Sequence, residues 1–533
     1  MTDSKVLLIG LDGVDFNLFK VLISRNIIPN LARLSKNGAH GHLLSTVPLQ
    51  TPITWTSFIT GKNAGKHGIF GFFAYKNNSY ALKVLNSLER KSQTLWHILN
   101  RYGKRVGIFN LPSLFPPEKI DGYMVCGMLA PSINSNFTYP KLLKEKLLRS
   151  VKDYEIDIGM TMSAKDSKDM LLQKTYEITE KRIRAAKFLL KEFHCDLTML
   201  IFTETDRILH FFLKDMDGDS KYKNIIADYF HFLDKSLGEL IERVSKDTTI
   251  IVVSDHGMEP FRKVFYVNNF LREIGMVSQE KKSFNYVAHS FIEGCFKVIV
   301  NSMVKLKLSP EILKPFLPQW LFNRLTIILG SGGNFDWSKT KAYFSSSIGD
   351  SIVINLKGRQ PQGIVPMEEY EAVRDKIIQE IKAIKDPDTR EGIVEGVYKR
   401  EELFSGDFVN EAADIIIKLK DGYIPHSSTD TEDILTEKNP FGLISSDHTR
   451  NAILILYGNE IKKGFSIKEA TIFDIAPTIL TLMYVPLSAD FDGRVLIETF
   501  KEEHVDLYRS SVVSEGERLR ARIKELKLSG KIK

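Results

Sequence analysis

The sequence predicts an α/β protein with a mainly parallel central sheet and helices on both faces. Two observations carry this prediction: short, almost uniformly apolar runs recur along the chain, and amphipathic helical patterns separate them. Strands that are apolar on both faces are typical of a parallel sheet covered by helices on each side. Ligands of such sheets bind beyond the carboxyl ends of the strands, so polar residues at those ends are candidates for function.

The predicted elements follow from these patterns in chain order. Strands are expected at 6–9, 106–109, 197–202, 249–253, 352–356, 415–417 and 453–456. Apolar residues at i, i+3 and i+4 predict helices over 174–191, 222–244 and 370–384.

Composition and charge exclude several classes of protein. Of the 533 residues, 43% are hydrophobic and 26% are charged, which is typical of a globular chain and not of a disordered or collagen-like one. The formal net charge of +7 is small for this length and no long basic run exists, so we expect no binding to a nucleic-acid polymer. A mild positive field favours an anionic small molecule instead.

The cysteines and the apolar segments indicate the cellular compartment in which the protein is expected. Cys126, Cys195 and Cys295 are widely spaced without a CxxC pair, which fits a reducing compartment and predicts neither a zinc finger nor a disulfide framework. The first apolar run, 6–9, is too short for a secretory signal, and no apolar stretch reaches the length of a membrane-spanning helix. We therefore expect a cytoplasmic protein.

Acidic and histidine residues follow several of the predicted strands. Asp12 follows the first strand, the pair Asp255 and His256 follows the strand 249–253, and Asp206 and His210 follow the strand 197–202 at helical i, i+4 spacing. His448 precedes the last strand. Each residue alone has an ordinary structural explanation, as part of a turn, a polar loop or a helix terminus. Together they offer three carboxylates and three imidazoles, the ligand set of a site for two divalent cations.

Thr51 is the candidate nucleophile for such a site. Pro52 suits the first turn of a helix, which makes Thr51 the predicted N-cap. A hydroxyl at a helix N-terminus is favoured as a nucleophile and lies where a phosphate would bind. A plain capping role is the alternative.

Seven blocks in order resemble the alkaline phosphatase superfamily, specifically the type I phosphodiesterase/nucleotide pyrophosphatase family and its predicted phosphohydrolase/phosphomutase group. The blocks are LLIGLDGVD, TVPLQTPITWTSFITGKNAGKHGIFGF, TETDRILH, VVSDHGM, DWSKTKAY with INLKGR, SSDHTRNAILIL, and DIAPTILTLMYVP with DGRVL. They cover nearly the whole chain, and the ordered set is far more specific than any one block.

The resemblance implies a ligand set and a nucleophile. One cation would be held by Asp206, His210 and His448, and a second by Asp12, Asp255 and His256 together with Thr51. Thr51 would attack phosphorus and form a phosphothreonine that water hydrolyses. Zn²⁺ suits these ligands best, and Mn²⁺ is a reasonable occupant.

The sequence also departs from the family pattern. Nucleotide pyrophosphatases carry an asparagine three residues after the nucleophile, where this chain has Thr54. A threonine hydroxyl can still donate one hydrogen bond to a phosphate oxygen. Lys62, Lys66, His67 and Arg359 are further candidates for contacts with substrate anions, although each suits a structural role equally well.

The candidate residues span positions 12 to 448, so we predict one large catalytic domain over 1–533 with two additions. A helical insertion is expected at 261–335 and a small α+β subdomain at 338–425. Within the insertion, the apolar and lysine-bearing segment 296–329 is either packed on the core or forms a lid or a peripheral membrane contact.

These inferences predict a two-metal phosphohydrolase that cleaves a phosphodiester or phosphoanhydride of a small phosphate-ester substrate. Two alternatives stay open. One is a phosphomutase similar to cofactor-independent phosphoglycerate mutase, which returns the phosphate to its substrate under a closed cap. The other is a catalytically silent protein that binds a membrane surface through 296–329. The sequence does not indicate an oligomeric state.

Overall fold

The computed structural model describes residues 4–76, 78–157, 167–279 and 335–505. A nine-stranded sheet forms its centre. From one edge to the other its strands are Phe465–Ile467, Ala39–Leu44, Asn451–Tyr457, Thr249–Val253, Val6–Leu11, Leu197–Phe202, Val106–Phe109, Gly122–Val125 and Thr138–Tyr139. The five strands from Thr249–Val253 to Gly122–Val125 are mutually parallel, whereas Asn451–Tyr457 and Thr138–Tyr139 run antiparallel to their neighbours. The predicted mainly parallel α/β fold is confirmed.

The central strands are buried because their side chains are apolar on both faces. Every residue of Val6–Leu11, Leu197–Phe202 and Thr249–Val253 is buried. The helices of the described residues are Phe16–Ser24, Pro29–Asn37, Thr51–Thr60, Ala64–His67, Leu95–Arg101, Leu142–Ser150, Lys168–Glu192, Glu204–Phe212, Ile225–Ile241, Val267–Glu273, Tyr370–Lys382, Arg400–Leu403 and Ile475–Leu482. Three of them, Lys168–Glu192, Ile225–Ile241 and Tyr370–Lys382, lie within six residues of the helix bounds that periodicity predicts.

A second hydrophobic core lies under a four-stranded antiparallel sheet. Its order is Ala342–Ser345, Ser351–Ile354, Ile415–Leu419 and Val394–Lys399. The helix Tyr370–Lys382 contributes Val373, Ile377 and Ile381 to that core. This α+β unit falls within the predicted subdomain at 338–425.

The remaining strands of the described residues form three smaller sheets. Phe73–Tyr75 pairs with Leu82–Val84, Gly257–Pro260 pairs with Ser446–Thr449, and Lys263–Tyr266 lies between Tyr423–His426 and Leu435–Thr436. At the start of the predicted insertion 261–335, residues up to 279 form the strand Lys263–Tyr266 and the helix Val267–Glu273. Most of that insertion, including 296–329, lies outside the described residues. None of the helices in the described ranges combines the length and apolar character needed to cross a membrane.

Candidate two-cation site

Parallel pairing brings two acidic strand ends together. Gly10 lies opposite Val253 in the sheet register, so the residues that follow the two strands share one edge. Asp12 follows one strand, and Asp255 and His256 follow the other. All three are 1% exposed or less. The Nε2 atom of His256 lies 3.3 Å from Oδ2 of Asp255 and 3.5 Å from Oδ1 of Asp12.

Asp206 and His210 reach the same edge from the helix Glu204–Phe212. This helix starts two residues after the strand Leu197–Phe202, which is the other parallel neighbour of Val6–Leu11. The i, i+4 spacing places both side chains on one face, with His210 Nε2 3.3 Å from Asp206 Oδ1.

His448 joins the two groups through a short strand that the sequence reasoning treated as a loop. Ser446–Thr449 pairs antiparallel with Gly257–Pro260, and His448 lies opposite Met258. Its Nε2 atom is 3.2 Å from Nε2 of His210 and 3.5 Å from Oδ1 of Asp206. Its ring stacks on that of His256 with the centroids 3.8 Å apart.

The ligand atoms converge in two overlapping groups. The atoms of Asp12, Asp255 and His256 lie within 4.8 Å of one another, and so do those of Asp206, His256 and His448. His210 lies 3.3 Å from Asp206 and 3.2 Å from His448. All six predicted ligands therefore lie in one cluster, with His256 between the two halves.

Backbone carbonyls fix the orientation of the three imidazole rings. Nδ1 of His210 lies 2.7 Å from the Ser446 oxygen, Nδ1 of His256 lies 3.0 Å from the Gly257 oxygen, and Nδ1 of His448 lies 3.2 Å from the Leu49 oxygen. A carbonyl oxygen only accepts hydrogen bonds, so each Nδ1 carries a proton and donates it. In the neutral ring Nε2 is then left with a lone pair directed at the cluster, which is the tautomer that a metal ligand requires.

The residues present fit bound cations. Oδ1 of Asp12, Oδ1 of Asp206 and Nε2 of His256 are buried atoms without a hydrogen-bond partner among the described residues. Leaving such atoms unpaired in a protein interior is costly. Carboxylate oxygens and imidazole nitrogens together are ligands that Zn²⁺ and similar divalent ions accept.

The pKa shifts of the cluster also indicate that it is stabilised by positive charge. Burial, followed by the charges of Asp255 and Asp206, raises the pKa of Asp12 well above its usual value. Burial alone would raise the pKa of Asp206, but His210 and His448 outweigh it and hold that pKa well below the usual value. In return, Asp206 overcomes the effect of burial and raises the pKa of His448 to about 9. A cation would replace the proton in this cluster.

Thr51 lies at the start of a buried helix that docks on the cluster. The helix Thr51–Thr60 has Gln50 as its N-cap, so the prediction that Thr51 is the N-cap is wrong by one residue. Thr51 is the first helical residue, and its hydroxyl has no hydrogen-bond partner in the described part of the chain. Thr54 donates to Asp255 Oδ2 at 3.0 Å and Trp55 Nε1 donates to Asp12 Oδ2 at 3.4 Å, so the first turn contacts both of these ligands.

Other predicted substrate contacts have partners elsewhere. Lys62 pairs with Asp490, two residues before the DGRVL block, and Lys66 Nζ lies 2.5 Å from Asp492, the first residue of that block. Arg359 forms two hydrogen bonds, at 2.7 and 2.5 Å, with the buried Asp414, which directly precedes the strand Ile415–Leu419.

His67 is fully buried. Nε2 of its ring lies 3.0 Å from Ser57 Oγ, and Nδ1 accepts from the Ile69 amide. Among the predicted substrate contacts, the structure therefore brings only Thr54 to the cluster.

Sequence reasoning missed two groups that border the site. Trp55 contacts Asp12, and its position in the first turn of the Thr51 helix was the available signal. A pocket beside His448 is lined by Lys418 of the four-stranded sheet, by Asp447 of the short strand Ser446–Thr449, and by Leu49 and Asp350, which lie outside the strands. Burial and the neighbouring Asp447 raise the pKa of Asp350 to about 7. No sequence signal connects Asp350 to His448, because the two residues meet only where the segment before the strand Ser351–Ile354 packs near the strand Ser446–Thr449.

Known proteins share this architecture. The model of the type I phosphodiesterase/nucleotide pyrophosphatase family matches residues 6–443, which ends five residues before His448. No curated protein sequence matches the chain. Phosphonoacetate hydrolase from Sinorhizobium meliloti 1021, solved with phosphonoformate, shares the fold with a TM-score of 0.51 and 16% identity, over 89% of this chain and 94% of that one. Human ectonucleotide pyrophosphatase/phosphodiesterase 5 gives a TM-score of 0.49 and 13% identity, over 92% of this chain and 97% of that one.

Proposed function

The chain belongs to the type I phosphodiesterase/nucleotide pyrophosphatase family, and we propose that it hydrolyses a phosphodiester or phosphoanhydride through a phosphothreonine at Thr51. One observation above all supports this proposal. The side chains of three aspartates and three histidines converge beside a helix that begins with Thr51. Within this cluster, Oδ1 of Asp12, Oδ1 of Asp206 and Nε2 of His256 are buried and have no hydrogen-bond partner among the described residues.

The ligand assignment follows from the two halves of the cluster. Asp206, His210 and His448 would hold one cation, and Asp12, Asp255, His256 and Thr51 would hold the other. Two divalent cations, which we propose to be Zn²⁺ or Mn²⁺, would lower the pKa of the Thr51 hydroxyl and stabilise charge on the phosphoryl oxygens.

The protein's own groups place the nucleophile. Thr51 Oγ forms a bond to phosphorus while the bond to the leaving-group oxygen breaks, so the resulting phosphothreonine still carries the rest of the substrate on its phosphoryl group. Water later cleaves the bond between Thr51 Oγ and phosphorus, which releases the phosphate monoester and the free threonine. Thr51 is the first residue of its helix, so the positive end of the helix dipole lies at the nucleophile and favours the phosphoryl oxygens. Thr54, whose hydroxyl contacts Asp255, holds that ligand in place at the same turn.

The pocket lined by Asp350 and Lys418 borders His448 and offers a place for the leaving group. Free thiols at Cys126 and Cys195 support the expectation of a cytoplasmic location. No feature of the described residues favours the mutase or the silent membrane-binding alternative.

Turnover by the metal-reconstituted protein tests the proposal. Bis-p-nitrophenyl phosphate, p-nitrophenyl phosphate and a set of phosphosugars separate a diesterase, a monoesterase and a mutase. We expect hydrolysis of the diester, its loss in Thr51→Ala, and its retention in Thr56→Ala, which removes a buried threonine of the same helix. Equal turnover by the Thr51→Ala variant and the wild type would contradict the role of Thr51.

A further inference from the structure

Asp15 is a buried carboxylate three residues after the proposed ligand Asp12, and it is 7% exposed. Its Oδ1 atom accepts a hydrogen bond from the Asn17 amide at 2.6 Å and caps the helix Phe16–Ser24. A cap needs a single side-chain oxygen, which a serine supplies equally well. Because burial of a carboxylate is costly, the cap alone does not account for this residue.

The other oxygen of Asp15 binds the segment that follows His448. Thr449 donates from Oγ1 to Asp15 Oδ2 at 3.0 Å, and Asn451 donates from Nδ2 to both carboxylate oxygens at 3.0 Å. Thr449 comes directly after His448, whose Nε2 atom belongs to the cluster. Asp15 thus links the segment after Asp12 to the segment that carries His448, across 434 positions of the chain.

A third ligand-bearing segment packs on the same carboxylate. Gly257 directly follows His256, and a Cβ atom at Gly257 would lie 2.5 Å from Asp15 Oδ2 and 2.4 Å from Thr449 Oγ1. Only glycine leaves room there for the hydrogen bond between Thr449 and Asp15. Segments that carry ligands from both halves of the cluster therefore meet at Asp15.

The strand Ser446–Thr449, which carries His448, depends on such contacts. Among the described residues it pairs only with Gly257–Pro260, whereas the strand before Asp12 lies between two parallel neighbours. A pair of two strands is marginally stable by itself. Loss of the contact between Thr449 and Asp15 is therefore expected to displace His448 rather than Asp12.

We propose that Asp15 is a positioning residue that holds His448 in the Asp206 half of the cluster. This inference rests on the proposed function, because it concerns the cations of that site. Asp15 contacts neither cation nor substrate and acts through Thr449. A residue that only capped its helix would affect the stability of the fold and leave the affinity for metal unchanged.

Zn²⁺ binding by the Asp15→Ser variant separates these two roles. Serine keeps the helix cap but offers one oxygen in place of two, so the contact with Thr449 is lost. Calorimetric titration in competition with a chelator measures the affinity for each equivalent of Zn²⁺. Asp234→Ser is the matched control, because Asp234 is a buried aspartate outside the cluster that accepts from the Asn30 and Leu31 amides.

We expect Asp15→Ser to bind one equivalent of Zn²⁺ about ten-fold more weakly and the other equivalent like the wild type. Asp234→Ser should bind both like the wild type. Thr449→Val, which removes the same hydrogen bond from its other end, should weaken the same equivalent, and it serves where Asp15→Ser does not fold. The double variant should bind no more weakly than Asp15→Ser, because both changes act on one contact.

Wild-type affinity for both equivalents in folded Asp15→Ser would overturn the inference, and so would additive losses in the double variant. Weakened Zn²⁺ binding by Asp15→Ser beside undiminished turnover of Thr51→Ala would leave the inference standing and reject the nucleophile. Unchanged Zn²⁺ binding by Asp15→Ser beside loss of turnover in Thr51→Ala would do the reverse. A wild type that binds fewer than two equivalents would reject both the two-cation site and the role of Asp15.

Discussion

The Nε2 atoms of His210 and His448 lie 3.2 Å apart although the residues are separated by 238 positions in the chain. Each ring donates a hydrogen bond from Nδ1 to a backbone carbonyl. When both rings are neutral, each Nε2 atom therefore directs a lone pair at the Nε2 atom of the other ring. Two lone pairs at this distance repel unless a proton or a cation lies between them. The pair is therefore the part of the cluster that most directly requires positive charge.

Replacing His448 tests this requirement. His448 contacts Asp206 and His210 and stacks on His256, so we expect His448→Ala to lower the metal-to-protein ratio by at least one equivalent. Elemental analysis after dialysis against buffered Zn²⁺ measures the ratio. His231→Ala is the control, because exposed His231 also has Nδ1 near a backbone oxygen but lies outside the cluster. An unchanged ratio in His448→Ala would contradict the ligand assignment.

The buried ion pair of Arg182 and Glu204 holds the helix that carries Asp206 and His210. Both side chains are fully buried and 3.0 Å apart. Removing one partner leaves the other charge buried and unpaired, which lowers the free energy of unfolding by about 3–5 kcal/mol, whereas removing both charges lowers it much less. We expect Arg182→Met to unfold at markedly lower urea concentration than the double variant Arg182→Met, Glu204→Gln. Equal midpoints for the two metal-depleted proteins would show that the pair contributes no such coupling.

His67 gives stability a pH dependence of its own. Burial, assisted by the charge of Arg90, lowers the pKa of His67 to about 3 in the folded protein. The unfolded chain takes up a proton on this residue at higher pH than the folded one, so its contribution to stability is lost as pH falls from about 6.5 toward 3.

The variant His67→Gln isolates this contribution. Glutamine keeps a donor for Ser57 and an acceptor for the Ile69 amide but does not titrate. We expect the free energy of unfolding of the metal-depleted variant to fall less steeply between pH 6.5 and pH 4 than that of the wild type. Parallel pH profiles would contradict a depressed His67 pKa.

Much of the site was predictable because it depends on local spacing and on the geometry of parallel sheets. Asp206 and His210 share a helix face through their i, i+4 spacing, and Asp12 and Asp255 follow neighbouring parallel strands. The edge strands of the central sheet were harder to predict from the sequence. Ala39–Leu44 alternates buried and half-buried residues and carries two histidines, so it has no apolar run.

The partners of the cationic residues could not be predicted, since they depend on contacts between distant parts of the chain. Lys62 pairs with Asp490 across 428 positions, and Arg359 pairs with Asp414, 55 residues away at the start of a strand of the second sheet. A lysine or arginine near a motif gives no indication of such a partner.

The most direct test of the central claim is mass spectrometry of the metal-loaded protein, quenched in acid during a single turnover of a phosphodiester. We predict an adduct on Thr51 with the mass of the phosphoryl group and the ester group that it retains, formed in the wild type and absent from Thr51→Ala. Release of the alcohol product without any covalent adduct, or an adduct on a different residue, would contradict it.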